Sequence, residues 1–171
     1  MKHVMSETTE TKVTNVKEDD VQPNAIDLRI GKIFTHITET EEMHDRIKTR
    51  VFHDFHLVND EKVHLPQKQV MPNENGVYAL KQGYYLIEFE NRIQVGEHES
   101  GLVVPRSTLM RNGVVLFSCL YDSGYCGKMI AGMQVFSPRA YFGEHERIGQ
   151  YLCFDAESLH QYHGSYQEAS L

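Results

Sequence analysis

The sequence predicts an antiparallel all-β domain, a distorted jelly roll or β-barrel with few short helices. Three observations carry that expectation. Short segments rich in β-branched and aromatic residues recur along the chain. Gly, Pro, Asn or Asp bounds them. Helical periodicity is nearly absent. The 171 residues, 40% of them hydrophobic, suit one compact domain with tails.

Residues 1–21 come first and are polar and acidic, "SETTETKVTNVKEDD" over 6–20. They read as a flexible tail, the alternative being a short pairing strand, with structure starting near Pro23. The domain is expected over 22–158. Its strands are "IDLRIGKIF" (26–34), "RVFHDFHLV" (50–58), "GYYLIEFENRIQV" (83–95), "GLVV" (101–104), "NGVVLFSCLY" (112–121), "KMIAGMQVF" (128–136) and "RIGQYLCF" (147–154). "NENG" at 73–76 and "RNG" at 111–113 are turn chemistry. "TEEMHDRIK" at 40–48 reads as one or two helical turns. "PRSTLMRN" at 105–112 reads as a short helix with Ser107 or Thr108 near its start. Residues 159–171 close the chain as a lid segment.

Charge and cysteines exclude several classes. With 24 acidic and 17 basic residues the net charge is −7, which argues against bulk nucleic-acid binding but leaves room for a small anion held by local arginines. Cys119, Cys126 and Cys153 form no C-x-x-C pair, so no zinc knuckle or redox motif is readable. Buried thiols in a reducing compartment fit that count. No signal-peptide core and no 18-residue apolar run occur, so a cytoplasmic protein is expected, in host cytoplasm if the source is viral. His53, His56 and His64 cluster in sequence. On a strand, however, 53 and 56 face opposite ways and do not pair simply as metal ligands. No P-loop, G-x-G-x-x-G or H-E-x-x-H is present.

Four segments carry candidate chemistry. In "PRSTLMR", Arg106 and Arg111 offer forked donors and Ser107 a hydroxyl. The segment reads as a phosphate cradle or as a helix cap followed by surface arginines. In "YDSGYCG" at 121–127, Asp122 is placed to orient a water or to bond its own turn, and Tyr125 to pack on a sugar. In "HERIGQ" at 145–150, Gln150 and Arg147 suit a ligand or an ordinary strand start. "YHGSYQEASL" at 162–171 is a lid carrying Tyr166 and Gln167, or a frayed end.

The order of these segments resembles the trimeric dUTPase and dCTP deaminase superfamily over about residues 22–167. "QPNAIDLRIGKIF" is similar to the opening motif of the deaminase branch, and "LKQGYYLIEFENRIQV" to the strand pair leading toward the site. "PRSTLMR" is similar to the "PRSGLA" and "GRSSLAR" motifs. "YDSGYCG" is similar to D-x-x-Y-x-G, "ERIGQ" to "RIGQL", and "YHGSYQ" to the deaminase tail.

The resemblance implies a homotrimer in which the "PRS" turn lies between subunits and binds a pyrimidine deoxynucleoside triphosphate. Arg106, Ser107, Arg111 and Gln150 would take phosphate. Asp122 would orient the water that attacks the α-phosphate. Tyr125 would meet the deoxyribose, with Leu120 and Tyr121 at the end of the hairpin that reads the base. Tyr166 and Gln167 would close the lid. Mg²⁺ would arrive on the triphosphate rather than in a protein cage, and Asp27 would order the site.

Deaminases of this type place a proton-shuttling glutamate five residues after the glycine that here is Gly127. That position is Gly132, and no acidic residue lies between Asp122 and Glu144. The resemblance therefore implies dUTP hydrolysis to dUMP and pyrophosphate. The alternatives are a dCTP deaminase and a non-catalytic nucleotide-binding or regulatory trimer. The hairpin before Asp122 is shorter than the superfamily's usual one, which leaves base choice open.

Overall fold

A computed structural model of the chain describes residues 1–44, 47–52, 54–58 and 61–168. The strands are β1 (Lys12–Val13), β2 (Ile26–His36), β3 (Glu39–His44), β4 (Ile47–Phe52), β5 (His56–Val58), β6 (Glu61–Val63), β7 (Gln67–Val70), β8 (Val77–Gln94), β9 (Glu99–Pro105), β10 (Val114–Ser118), β11 (Cys126–Gly143) and β12 (Arg147–Asp155). The one α-helix among the described residues, α1 (Ser107–Arg111), falls where "PRSTLMRN" predicts it. The main sheet runs β10-β11-β8-β2-β12-β9, with β1 added to β8 and β7 to β2. Its end strands approach each other, Val103 N donating to Ser118 Oγ at 2.9 Å, so the sheet nearly closes on itself.

Alternation explains the long strands. Along β8, Ile87, Phe89 and Ile93 point inward while their neighbours are half-exposed. They meet Ile26, Leu28 and Ile33 of β2 in the core. β8 and β11 each extend to 18 residues, well past the predicted segments. Pro138 lacks a ladder donor, and the β8–β11 register shifts between Val135 and Arg139 around it. At "NENG", Asn73 Oδ1 accepts from Asn75 N and Val77 N at 3.0 Å each, and Gly76 takes φ +70°.

Two expectations fail for physical reasons. Residues 40–48 are not helical: β3 and β4 pair antiparallel there, Glu41 opposite Arg50 and Thr40 opposite Val51. Two turns of isolated helix are marginal in water, whereas Ile47, Thr49 and Val51 alternate in a strand-forming pattern. The same pairing splits the predicted strand 50–58 between β4 and β5. His53 lies outside the described residues, His56 falls in β5, and His64 is exposed beyond β6.

Residues 1–21 are not a free tail either. Lys2 N donates to Cys153 O at 2.8 Å, Val4 joins the core and β1 pairs with the end of β8. A 3₁₀ turn over Glu18–Asp20 buries Asp20 fully, and Arg29 Nη2 meets Asp20 Oδ1 at 2.7 Å. This strap is held by polar bonds and a few valines, so it carries no hydrophobic periodicity to read.

Candidate functional site

β2, β12 and β9 lie side by side, and this arrangement builds a cluster around Asp27. Gln150 stands opposite Asp27 in the β12–β2 pair, and Gly149 opposite Pro105 in the β12–β9 pair. Asp27 is 0% exposed. Its Oδ1 accepts from Gln150 Nε2 at 3.0 Å. Among the described residues its Oδ2 makes no hydrogen bond but faces two cations, Arg106 Nε at 3.4 Å and Arg147 Nη1 at 3.6 Å. A buried carboxylate needs such company. Arg106 is further fixed by its amide, which donates to Ile148 O at 3.0 Å, and by Nη1, which donates to Arg147 O at 3.1 Å.

Arg106 caps α1 in extended conformation, and the chain turns into the helix at Ser107. Ser107 and Arg111 are four residues apart on α1, so they share one face, and both are exposed. Gln150 spends one amide N–H on Asp27 and keeps the other. The four predicted phosphate residues therefore belong to one end of β9, with Arg147 and Asp27 behind them. Arg147, a ligand candidate in "HERIGQ" but not among the four phosphate residues, is the second cation on Asp27 beside Arg106.

The second cluster forms at the other end of β9. Gly101 and Tyr121 exchange both backbone hydrogen bonds. Beyond them Tyr125 N donates to Asp122 O at 3.0 Å and Gly124 takes φ +76°, closing a turn. Ser123 Oγ donates to Glu99 O at 2.7 Å. The Asp122 carboxylate is exposed, as is Leu120. Tyr125 is half-buried, its hydroxyl donating to Lys128 O at 2.8 Å. Burial pushes the Tyr125 phenol up to about 12, so it stays a hydrogen-bond donor at neutral pH.

Tyr121 does not fit the predicted base contact. Its ring is buried, and its hydroxyl donates to Ile130 O and accepts from Ile130 N, each at 2.9 Å. With its backbone committed to Gly101 as well, Tyr121 is a packing residue.

The C-terminal segment folds over this turn within the same protomer. Tyr162 N donates to Ser123 O at 2.9 Å and the Tyr162 ring meets Tyr125 edge-on at 5.4 Å. Gln167 Nε2 donates to Gly124 O at 3.0 Å while its Oε1 accepts from Cys126 N at 3.2 Å. Glu168 pairs with Arg92, and Tyr166 stays exposed.

The two clusters do not meet within one chain. From Gly101 to Arg106 is five residues of extended strand, roughly 17 Å at about 3.3 Å each. Gly132 sits in β11 opposite Leu86, and a Cβ there would lie 2.4 Å from Tyr84 Oη. The tyrosine occupies the space a side chain at 132 would use.

The family described as dCTP deaminase-like matches residues 1–155. The deoxyuridine 5'-triphosphate nucleotidohydrolase of Methanocaldococcus jannaschii is 30% identical over 152 residues, 86% of this chain and 88% of that protein. Among solved structures, the fold is similar to the 2'-deoxycytidine 5'-triphosphate deaminase of Agrobacterium tumefaciens, with a TM-score of 0.59 at 15% identity, over 84% of this chain and 42% of that one. It is also similar to the dUTPase of phage phi11 of S. aureus, with a TM-score of 0.51 at 11% identity, over 93% and 98% of the two chains. The chain thus spans less than half of that deaminase but nearly all of the dUTPase.

Proposed function

The chain belongs to the dCTP deaminase-like family, and within it we propose the reaction of a dUTP diphosphatase, dUTP and water giving dUMP and pyrophosphate. The observation that carries hydrolysis over deamination is Gly132. Deamination requires a proton-shuttling side chain, and glycine has none, while Tyr84 fills the space beside it. The similarity to the M. jannaschii enzyme, which runs most of the length of both chains, supports the same reading.

In this reading Asp122 holds the attacking water and takes its proton as the oxygen bonds to the α-phosphorus. The β-phosphate oxygen leaves with the bonding pair. No hydrogen bond to the Asp122 carboxylate occurs among the described residues, so both oxygens are available. Ser107, Arg111 and the free N–H of Gln150 take phosphate oxygens. Arg106, anchored on Asp27, orders that cluster and adds positive charge. Such a site acts by positioning and charge stabilisation. Mg²⁺ comes as part of the substrate, held by the triphosphate oxygens. Tyr125 and Leu120 meet sugar and base, and the segment carrying Tyr166 and Gln167 covers them.

Asp122 and the Ser107 cluster must both touch one triphosphate, yet they sit at opposite ends of β9. We therefore assign the two halves of each site to neighbouring copies in a homotrimer. The test is incubation of the purified protein with Mg²⁺ and dUTP, dCTP, dTTP or UTP, with the products resolved by chromatography. Monophosphate and pyrophosphate from dUTP, with UTP intact, is the expected result. A uracil nucleotide from dCTP would overturn it in favour of deamination.

A further inference from the structure

Glu99 opens β9 and is 1% exposed, and its carboxylate belongs to neither cluster above. Its Oε2 accepts from Thr11 N at 2.8 Å, and its Oε1 from Glu10 N and Lys2 Nζ at 3.2 Å each. These three donors all come from the N-terminal strap. The strap is stitched to the same place twice more. Thr11 Oγ1 accepts from Gly96 N at 3.1 Å, and Glu10 Oε2 from Glu97 N at 3.1 Å.

The opposite side of this segment carries the Asp122 loop. Ser123 Oγ donates to Glu99 O at 2.7 Å. Val95 N donates to Tyr125 O at 2.8 Å, and Gly101 pairs with Tyr121. The Asp122 side chain has no hydrogen bond among the described residues, so its aim depends on the loop backbone. These three anchors all run to residues 95–101, beside those that Tyr162 and Gln167 of the C-terminal segment make to Ser123 and Gly124. A buried charge costs more than a well-packed apolar side chain of the same size. What the charge supplies here is direction: it fixes three donors of the strap at set positions around one carboxylate.

We propose that Glu99 is a positioning residue for Asp122, clamping the strap to residues 95–101 and so fixing the loop that presents the carboxylate. The proposal rests on the hydrolase reading, but the clamp itself is measurable without turnover. Glu99→Gln keeps the shape and turns an NH₂ toward backbone donors that cannot accept it.

With the full chain and dUTP–Mg²⁺, kcat should fall about tenfold while KM stays within about twofold, the mark of misplaced chemistry rather than lost binding. Amide exchange at 123–125 should quicken, with 133–135 unchanged. Ser123→Ala should give the same kcat loss, and the double variant should lose no more than the larger single. If Glu99→Gln does not fold, Lys2→Met removes one donor at the edge of the clamp and should give the same pattern at smaller amplitude.

Unchanged exchange at 123–125 overturns the proposal. So does an active parent whose variants keep full kcat, or losses that simply add. A parent inert toward dUTP sinks the hydrolase reading alone, and the exchange measurement still decides the clamp.

Discussion

Gln150 and Asp27 stand opposite each other on β12 and β2, and the Gln150 amide donates to the buried Asp27 carboxylate at 3.0 Å. The other Asp27 oxygen faces Arg106 and Arg147. One fully buried carboxylate therefore organises three residues, two from β12 and Arg106 just past the end of β9. Asp27→Asn keeps the size and removes the charge, leaving two partly buried guanidiniums facing each other. We expect a loss of about 2–3 kcal/mol of stability, below the usual figure for a broken buried pair because the arginines keep solvent contact. A lower urea midpoint at unchanged slope is the check. A midpoint equal to the parent's would mean that the arginines do not depend on Asp27.

In the proposed reaction Asp122→Asn removes the base and leaves the cluster around Ser107 intact. We expect turnover to fall about 10²–10⁴-fold with dUTP affinity nearly unchanged. Equilibrium binding of a non-hydrolysable dUTP analogue, measured beside kcat, separates the two. Unchanged turnover would remove Asp122 from the mechanism.

Under the same proposal Ser107→Ala and Gln150→Ala act on phosphate positioning instead. Each should lower kcat/KM by about tenfold or more, the worth of a charge-assisted hydrogen bond or two. Gln150→Ala should also lower stability, because Asp27 Oδ1 then loses its donor. Full activity in both variants would strip the cluster of its phosphate role.

Two glycines give a contrast that geometry alone decides. A Cβ at Gly101 would lie 2.2 Å from Tyr151 Oη and 2.5 Å from Leu152 O, a buried ring and a backbone carbonyl. Neither yields easily, so Gly101→Ala should cost about 3 kcal/mol. A Cβ at Gly132 would meet the end of Tyr84, a side chain 45% exposed that can shift toward solvent at the cost of its stack on His36. Gly132→Ala should therefore cost under about 1 kcal/mol, the relief of strand glycine offsetting the shift. Thermal midpoints of the two variants check this, and equal losses would refute it.

The parts legible in the sequence were those with a short-range signature. β2 and β8 announce themselves by alternation, and α1 by the polar start of "STLMR". Arg106, Ser107, Arg111 and Gln150 fall at one end because their short segments are the end of β9, α1 and the β12 strand paired with β9. The strap was not. Its hold on the barrel is Asp20 against Arg29 and backbone amides against Glu99, contacts between residues far apart in sequence. Tyr121 misled for a related reason: whether a strand-end tyrosine faces a ligand or the core depends on register, here on its pairing with Gly101. The distance between Asp122 and Ser107 is likewise a property of β9 as a folded strand, which no motif spells out.

Glu99 also makes a prediction about acid. Burial pushes its carboxyl up, but the hydrogen bonds from Thr11, Glu10 and Lys2 together outweigh that and leave the pKa below the ordinary glutamate value. The folded chain therefore takes up this proton less readily than the unfolded chain. The stabilisation is fully present above the unfolded glutamate pKa of about 4.3, and is lost as the pH falls through the lower folded value. Urea midpoints of the parent should drop as the pH goes from about 5 toward 3. Glu99→Gln has no proton to take up there, so it should start less stable at neutral pH and fall less steeply over that window. The gap between the two proteins narrows on acidification, because protonated Glu99 and glutamine then present the strap with similar neutral groups. Parallel pH profiles would mean that the carboxylate's charge does not hold the strap.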